Sequence, residues 1–281
     1  MSMLETLAAN LFLPTWLLTI FIGLFGLLIG SFLNVFIYRL HTGKSLNGRS
    51  HCMSCGTGLC WFELVPVASY AVLLGRCRTC SSRITPRYAV VEFVTGALFV
   101  LAAVTAASLF ELIWLLLVLA TLVVVTVYDY HHFIIPDELT ATLAVLTTGW
   151  LGYQWWAGVS VESLLWTVGA SMAGAAFFFA LWFVSKGRWL GFGDVKLAIP
   201  LGLMVGYTGV FSFVVLSFWV GAAISLVLLG YQKYQRGQAG LHNVPQSLTM
   251  KSAVPFAPFM IAGTLLVYFY NVNVLSLFSF S

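Results

Sequence analysis

Two groups of side chains in this sequence could do chemistry: a sparse set of aspartates and a doubled cysteine pair. Only three Asp residues occur, Asp129, Asp137 and Asp194. Two carboxylates that share a site cannot both ionise comfortably, so one keeps a proton while the other activates water toward a peptide carbonyl. Asp129 and Asp194 are the candidates for such an acid-peptidase pair. Asp129 follows the apolar run ending Val127-Tyr128, where the negative end of a helix dipole offers a carboxylate nothing. Stability alone therefore does not explain it. Asp194 lies in Gly191-Phe192-Gly193-Asp194-Val195-Lys196-Leu197 and opens the following apolar run, so helix capping is a real alternative. Its two glycines favour a site instead, because they let backbone approach closely beside the carboxylate or adopt positive φ. On dipole grounds Asp129 carries the shared proton and Asp194 stays ionised. Asp137, just after Pro136, reads as a cap with Thr140 in the first turn of its helix, a structural role.

The cysteines fall as Cys52-x2-Cys55 and Cys77-x2-Cys80. Each pair can set two thiolates on one tight knuckle, and two knuckles complete a tetrahedral Zn2+ shell. Four sulfur ligands leave no position for water, so the zinc is expected to be structural. Paired disulfides and unmodified buried thiols compete with this reading, and a reducing compartment disfavours disulfides. Cys60 reads as a small apolar neighbour of Trp61. The polar stretch 39–92 has little core of its own, which is where a metal staple is needed. Gly56, Gly58, Gly75 and Pro66 supply turns there, so short strands and turns are expected around the metal.

The elements that must position these groups are membrane helices. The chain is 60% hydrophobic and 8% charged, against roughly 25% charged residues in soluble domains. Stretches free of Asp, Glu, Lys and Arg run 6–38, 93–110, 112–128, 139–161, 163–185, 197–232 and 252–281. The sixth is too long for a single crossing of about 20 residues and contains the turn-like Gly206-Tyr207-Thr208-Gly209, so it divides in two. The expectation is an all-α polytopic membrane protein of about eight transmembrane helices, with a small four-cysteine, zinc-type lobe between helices 1 and 2. Its domains would be 1–38, the N-terminal segment and first helix; 39–92, the cysteine-rich lobe; and 93–281, a seven-helix membrane domain. The first run is preceded by Glu5 and no basic residue and exceeds a signal-peptide h-region, so it is expected to remain as a permanent span.

All 13 basic residues fall in the loops between spans one and two, five and six, and seven and eight. Lys and Arg gather in cytoplasmic loops, and an eight-span count puts these three loops on one face. That places the cysteine lobe, Asp129 and Asp194 at the cytoplasmic face of the membrane. The net charge of +4 thus reports topology in a lipid bilayer, and no nucleic-acid partner is expected. The histidines, His41, His51, His131, His132 and His242, offer no Cys-His or Ser-His arrangement near the spans and no HExxH. Two alternatives stay open: an intramembrane metallohydrolase using His131, His132 and Asp129, and a small proton-coupled transporter with buried carboxylates.

These motifs together resemble one family, the bacterial type IV prepilin peptidases, membrane aspartyl peptidases of the GxGD type. The resemblance runs in order through Gly30-Ser31-Phe32-Leu33-Asn34-Val35 with Tyr38-Arg39-Leu40; the double CxxC lobe with Glu63, Pro66, Ser69-Tyr70 and Gly75-Arg76-Cys77; Arg87-Tyr88 leading to Val91-Glu92; Asp129 with Ile135-Pro136-Asp137; and GFGDVKL. It implies that Asp129 and Asp194 are the catalytic pair and that Cys52, Cys55, Cys77 and Cys80 are the zinc-type cysteines. It further implies cleavage of short basic leaders from prepilin or type II secretion pseudopilin precursors. N-methylation of the new N-terminal residue from S-adenosylmethionine would follow. Met53 and Ala89 stand where the family often has proline. The residues of a methyl-donor site are not identified by sequence, Glu92 being a candidate that could equally pair with a nearby arginine.

Overall fold

A computed structural model describes residues 14–42, 45, 48–238 and 255–277. Residues 6–13 of the first predicted span, Lys44, His242 and the segment 239–254 with Lys251 lie outside them, as do the side chains of Lys233 and Arg236. The regular elements are helical: α1 (Thr15–Arg39), a 3-10 turn (Trp61–Leu64), α2 (Ala68–Val72), α3 (Arg87–Thr105), α4 (Leu109–His132), α5 (Asp137–Trp156), α6 (Val161–Ser185), α7 (Phe192–Gln238), α8 (Ala257–Tyr270) and a second 3-10 turn (Val274–Leu277). Extended structure among the described residues is confined to two isolated bridges in the cysteine lobe. The expected short strands are therefore reduced to single pairings.

Helices α1, α3, α4, α6 and the Phe192–Tyr231 part of α7 are long and apolar enough to cross a membrane. Helix α8 is apolar but shorter, and α5, which opens on Asp137 and Glu138, is less apolar. Helices occupy every predicted place, but their ends are displaced. Helix α3 begins at Arg87 rather than 93, α4 runs on to His132 rather than 128, and α7 begins at Phe192 rather than 197. A charge-free stretch measures what tolerates lipid, whereas a helix continues past it and carries charged residues at its ends. The division within α7 is a break at Gly206 alone, with φ 73° and ψ 169°, a conformation that only glycine adopts cheaply.

The chain forms two units, Met1–Val124 and Val125–Ser281, whose boundary falls within α4. In the first, α1 packs along α3 through small residues, the usual means of close helix approach where lipid removes the hydrophobic drive. A Cβ at Gly30 would sit 2.7 Å from the Glu92 Cα, and one at Gly26 would meet Gly96 and Phe99 at 2.8–2.9 Å. Buried Asn34 clamps the pair by donating from Nδ2 to the Tyr88 carbonyl at 3.0 Å. In the second unit α7 packs against α6, α8 and α5. The Ser171 hydroxyl of α6 donates to the Ile199 carbonyl of α7 at 2.8 Å, in the turn weakened by Pro200. Phe178, Phe213, Phe218 and Phe256 form an aromatic cluster running from buried Phe178 and Phe213 out to exposed Phe218, with ring centroids 6.0 Å apart for Phe178–Phe213 and 5.2 Å for Phe218–Phe256.

Candidate active site and metal centre

The cysteine lobe contains two knuckles built alike. In the first, the Cys52 N–H donates to the Thr57 carbonyl and the Gly56 N–H to the Cys52 carbonyl, both at 2.9 Å. In the second, the Cys77 N–H donates to Ser82 and the Ser81 N–H to Cys77, again at 2.9 Å. The bridges His51–Gly58 and Arg76–Arg83 close the corresponding ribbons. Each tight loop passes through a left-handed residue, Gly56 at φ 71° and Ser81 at φ 58°. The four sulfurs lie within 4.8 Å of one another, and none is in a disulfide. A tetrahedron with zinc–sulfur bonds of about 2.3 Å has edges of about 3.8 Å. The Cys52–Cys80 sulfur separation is 3.8 Å.

Electrostatics at the cluster favour a cation. The N–H groups of Cys55 and Ser54 point at the Cys52 sulfur and hold its thiol down to about 6. Cys80 is held below its ordinary value chiefly by the Ser82 hydroxyl, 3.1 Å away. The N–H groups of Cys80 and Thr79 favour the Cys77 thiolate as well, but burial and the sulfurs of Cys52 and Cys80 outweigh them and push it up. Thiolates crowded so closely repel each other until a metal neutralises them. Donor number, spacing and charge all fit zinc. Cys60 lies outside the cluster, exposed beside Trp61.

Asp129 and Asp194 both belong to the second unit, and both are buried, at 5% and 6% exposure. Helix α4 ends at left-handed Phe133, whose N–H donates to the Asp129 carbonyl at 2.8 Å. The chain then turns so that buried Ile135 rests on Gly193, where a Cβ would fall 3.1 Å from the Ile135 Cβ. One residue beyond Pro136, Asp137 forms an ion pair with Lys196 at 2.6 Å. The segment after Asp129 and the segment around Asp194 are thus locked together at two points. Asp194 lies within electrostatic reach of Asp129.

The local chemistry differs from the sequence expectation in three ways. Asp194 is the third helical residue of α7 rather than its N-cap. Its Oδ2 accepts the Gly191 N–H at 3.1 Å, the carboxylate half of a capping box. Asp137 is the first residue of α5, with Pro136 at the cap position and no side-chain cap bond, and it serves as the partner of Lys196. Asp129 is not left without stabilisation, because the Ala257 N–H, from the first residue of α8, is directed at its carboxyl group. Each aspartate thus has a backbone N–H from the start of a helix acting on it, which offsets part of the dipole argument for giving the proton to Asp129. The Asp129 Oδ2 is buried without a hydrogen-bond partner among the described residues, an arrangement that costs free energy unless a proton, water or substrate engages it.

Ala257 was invisible as a site residue because it has no polar side chain. Pro255 and Pro258 flank it, the signature of a helix start, and such a start is where free N–H groups point. His131 and His132 do not join Asp129 in a metal-binding group. Among the described residues only the four cysteines come close enough to hold an ion, and the His132 ring packs against Tyr128, tilted by 34° with ring centroids 4.4 Å apart.

Fold and side chains together define a class: a multi-pass, all-helical membrane protein carrying a four-cysteine lobe and a buried pair of aspartates. Residues 24–106 match the profile of the bacterial Peptidase A24 N-terminal domain, and residues 116–226, which include both aspartates, match that of the type IV leader peptidase family. The chain belongs to the type IV leader peptidase family. It is 33% identical over 198 residues to a prepilin leader peptidase/N-methyltransferase of Klebsiella pneumoniae, a match covering 66% of this chain and 85% of the relative. It is 31% identical over 310 residues to one of Burkholderia pseudomallei strain 1026b, covering 94% and 89%. With one of Myxococcus xanthus strain DK1622 it shares 29% identity over 214 residues, covering 76% of this chain and 64% of the relative. No solved structure matches the chain.

Proposed function

We propose that this protein is a membrane aspartyl endopeptidase that removes the short leader from type IV prepilins or type II secretion pseudopilins, and that it then N-methylates the new N-terminal residue. The observation that supports the reading is that Asp129 and Asp194 are both buried and within electrostatic reach of each other, in segments joined through Ile135–Gly193 and Asp137–Lys196. One carboxylate, protonated, donates to the scissile carbonyl oxygen. The other, ionised, takes a proton from water as the water oxygen bonds to the carbonyl carbon. Collapse of the tetrahedral intermediate breaks the C–N bond, and the proton passes to the leaving amine. Burial strengthens these interactions by lowering the local dielectric.

The remaining assignments follow from the same reading. Cys52, Cys55, Cys77 and Cys80 hold a structural zinc that staples residues 39–92 into a lobe, with residues 93–281 forming the peptidase membrane domain. The protein crosses the inner membrane about eight times, and the cysteine lobe and both aspartates face the cytoplasm, where a basic leader remains. S-adenosylmethionine is the methyl donor. Its partners are precursor proteins and lipid, without nucleic acid. The test is co-expression of a pilin-like precursor with wild type, Asp129→Ala, Asp194→Ala and Asp137→Ala, read by mass spectrometry of the precursor. Cleavage is expected to vanish in the first two variants and persist in the third, and wild-type product should gain one methyl group. Cleavage lost only in Asp137→Ala overturns the assignment.

A further inference from the structure

The lobe between α1 and α3 turns an apolar surface outward. Residues 64–75 carry no Asp, Glu, Lys or Arg, a run of 12 residues. Apolar runs of about 10–14 residues belong to buried core helices or to interfacial segments, and burial decides between the two. Trp61, Val72 and Leu74 are 79%, 81% and 84% exposed, and Phe62, Leu64 and Val65 are exposed as well. Around α2 the outward face is Ala68, Ala71 and Val72. Ser69, Tyr70 and Leu73, on its opposite side, line the interior of the lobe. This short helix thus shows water its apolar side.

The level at which the surface lies is set by α3. The Val67 N–H donates to Glu92 Oε2 at 2.8 Å, and Ser31 of α1 hydrogen-bonds the same carboxylate. Glu92 packs opposite Gly30, and Gly30 precedes the end of α1 at Arg39 by nine residues, about 13 Å of helix. The segment therefore folds back alongside the two helices instead of standing off their ends. Glu92 is also the last charged residue before the charge-free run 93–110. Val90 and Phe93 of α3 and Phe32 of α1 are exposed around the same level. The return is made through Val67 at φ 58° and ψ −48°, rare and strained for a β-branched residue, and its bond to Glu92 holds it there. Strain of this kind persists where the surroundings overdetermine it.

Charge selects what covers the surface. Residues 39–92 contain seven Lys and Arg against Glu63 and Glu92, and Glu63 is turned to the Cys60 N–H, which it accepts at 2.7 Å. The excess stays positive even when four thiolates and a zinc ion together contribute two negative charges. The Arg78 guanidinium stands over the Phe62 ring, 5.2 Å from its centroid, at the margin of the apolar face. Tryptophan and aliphatic side chains bordered by arginine are the composition of segments that lie in the headgroup region of a bilayer.

We propose that residues 61–74 are an interfacial anchor, seated in the headgroup zone of an anionic phospholipid bilayer beside α1 and α3 and holding the cysteine lobe down on the membrane. The anchor depends on the membrane spans and on neither reaction.

The test uses full-length protein with p-benzoylphenylalanine replacing Val72, Leu74, Phe93 or Thr79, one position at a time. Each is reconstituted into vesicles of phosphatidylethanolamine and phosphatidylglycerol, irradiated, and read by peptide mass spectrometry. Phe93, exposed on α3, is the control for lipid, and Thr79, exposed between the cysteines of the second knuckle, is the control for water. Val72 and Leu74 should give lipid adducts within about twofold of the Phe93 yield, and Thr79 about fivefold less or lower. Exchanging phosphatidylglycerol for phosphatidylcholine should lower the yields at Val72 and Leu74 about twofold or more and leave Phe93 unchanged. Lipid adducts at Phe93 with none at Val72 and Leu74 overturn the anchor and leave the spans standing. Adducts from Val72 and Leu74 to this chain, a second copy or a precursor in place of lipid also overturn it, as do yields indifferent to lipid charge or matched at Thr79. No lipid adduct at any position, Phe93 included, overturns the anchor together with the α3 span.

Discussion

Gly193→Ala drives a wedge between the two segments that carry the aspartates, and its effect can be worked from the contact it creates. The new methyl carbon would lie 3.1 Å from the Ile135 Cβ and 3.4 Å from its Cγ1 and Cδ1. Comfortable carbon–carbon separations are about 3.5–4.0 Å, so Ile135 and Gly193 must part by about half an ångström. The nearest atom is a Cβ fixed to the backbone, and no rotamer change relieves it. Overpacking of this kind costs about 1–3 kcal/mol. Gly193 adjoins Asp194, and Ile135 follows Asp129 by six residues across the end of α4, so part of the displacement reaches the carboxylates. Misplacement by about 1 Å can cost about a hundredfold in rate, so about half that distance should cost about tenfold. Thermal unfolding in detergent and initial cleavage rates on a purified precursor measure both effects. Gly149→Ala is the control, because nothing lies within 4 Å of its Cβ position in α5, and alanine is favoured in a helix by up to about 1 kcal/mol. A Gly193→Ala protein that cleaves at the wild-type rate with the wild-type midpoint refutes the proposed coupling.

Cys52→Ser or Cys77→Ser should reduce bound zinc from one equivalent to a small fraction, read by elemental analysis, and lower the thermal midpoint. Zinc must displace protons from the thiols, so affinity should fall on acidification. Cys77, pushed up, reprotonates first, and Cys52, held at about 6, much later; affinity unchanged from pH 8 to pH 5 would contradict thiolate ligation. Asp137→Ala removes a pair whose side chains are 37% and 75% exposed, so it should cost no more than about 1 kcal/mol and change cleavage only a few-fold. Gly30→Val places a branched side chain where even a Cβ would be 2.7 Å from the Glu92 Cα. It should separate α1 from α3, with an earlier thermal transition, whereas an unchanged midpoint would deny that the two helices touch there.

Much of this was legible because the chain is so poor in charge. Three aspartates stand out against an apolar background, and a doubled CxxC constrains its own geometry whatever surrounds it. The break in α7 was readable from glycine, though the structure uses Gly206 alone of the suspected Gly206–Gly209 turn. Helix ends were misjudged wherever charge was treated as a stop: Arg87, Glu92, Asp129 and Asp194 all lie inside helices. The surroundings of the aspartates were not legible at all. The Ala257 N–H at Asp129, the Lys196 partner of Asp137 and the rest of Ile135 on Gly193 are contacts between segments distant in sequence, made by backbone or ordinary side chains. For the same reason sequence could nominate Glu92 but not show that its carboxylate holds the Val67 N–H.

The central claim is that Asp129 and Asp194 act as one unit. Single-turnover cleavage of a purified precursor by Asp129→Asn, Asp194→Asn and the double variant tests it directly. Residues of a shared catalytic unit are strongly non-additive, so each single change should lower the rate by about 10^4-fold or more and the double change should add little. Losses that multiply in the double variant, or a single variant retaining a tenth or more of the wild-type rate, would contradict it.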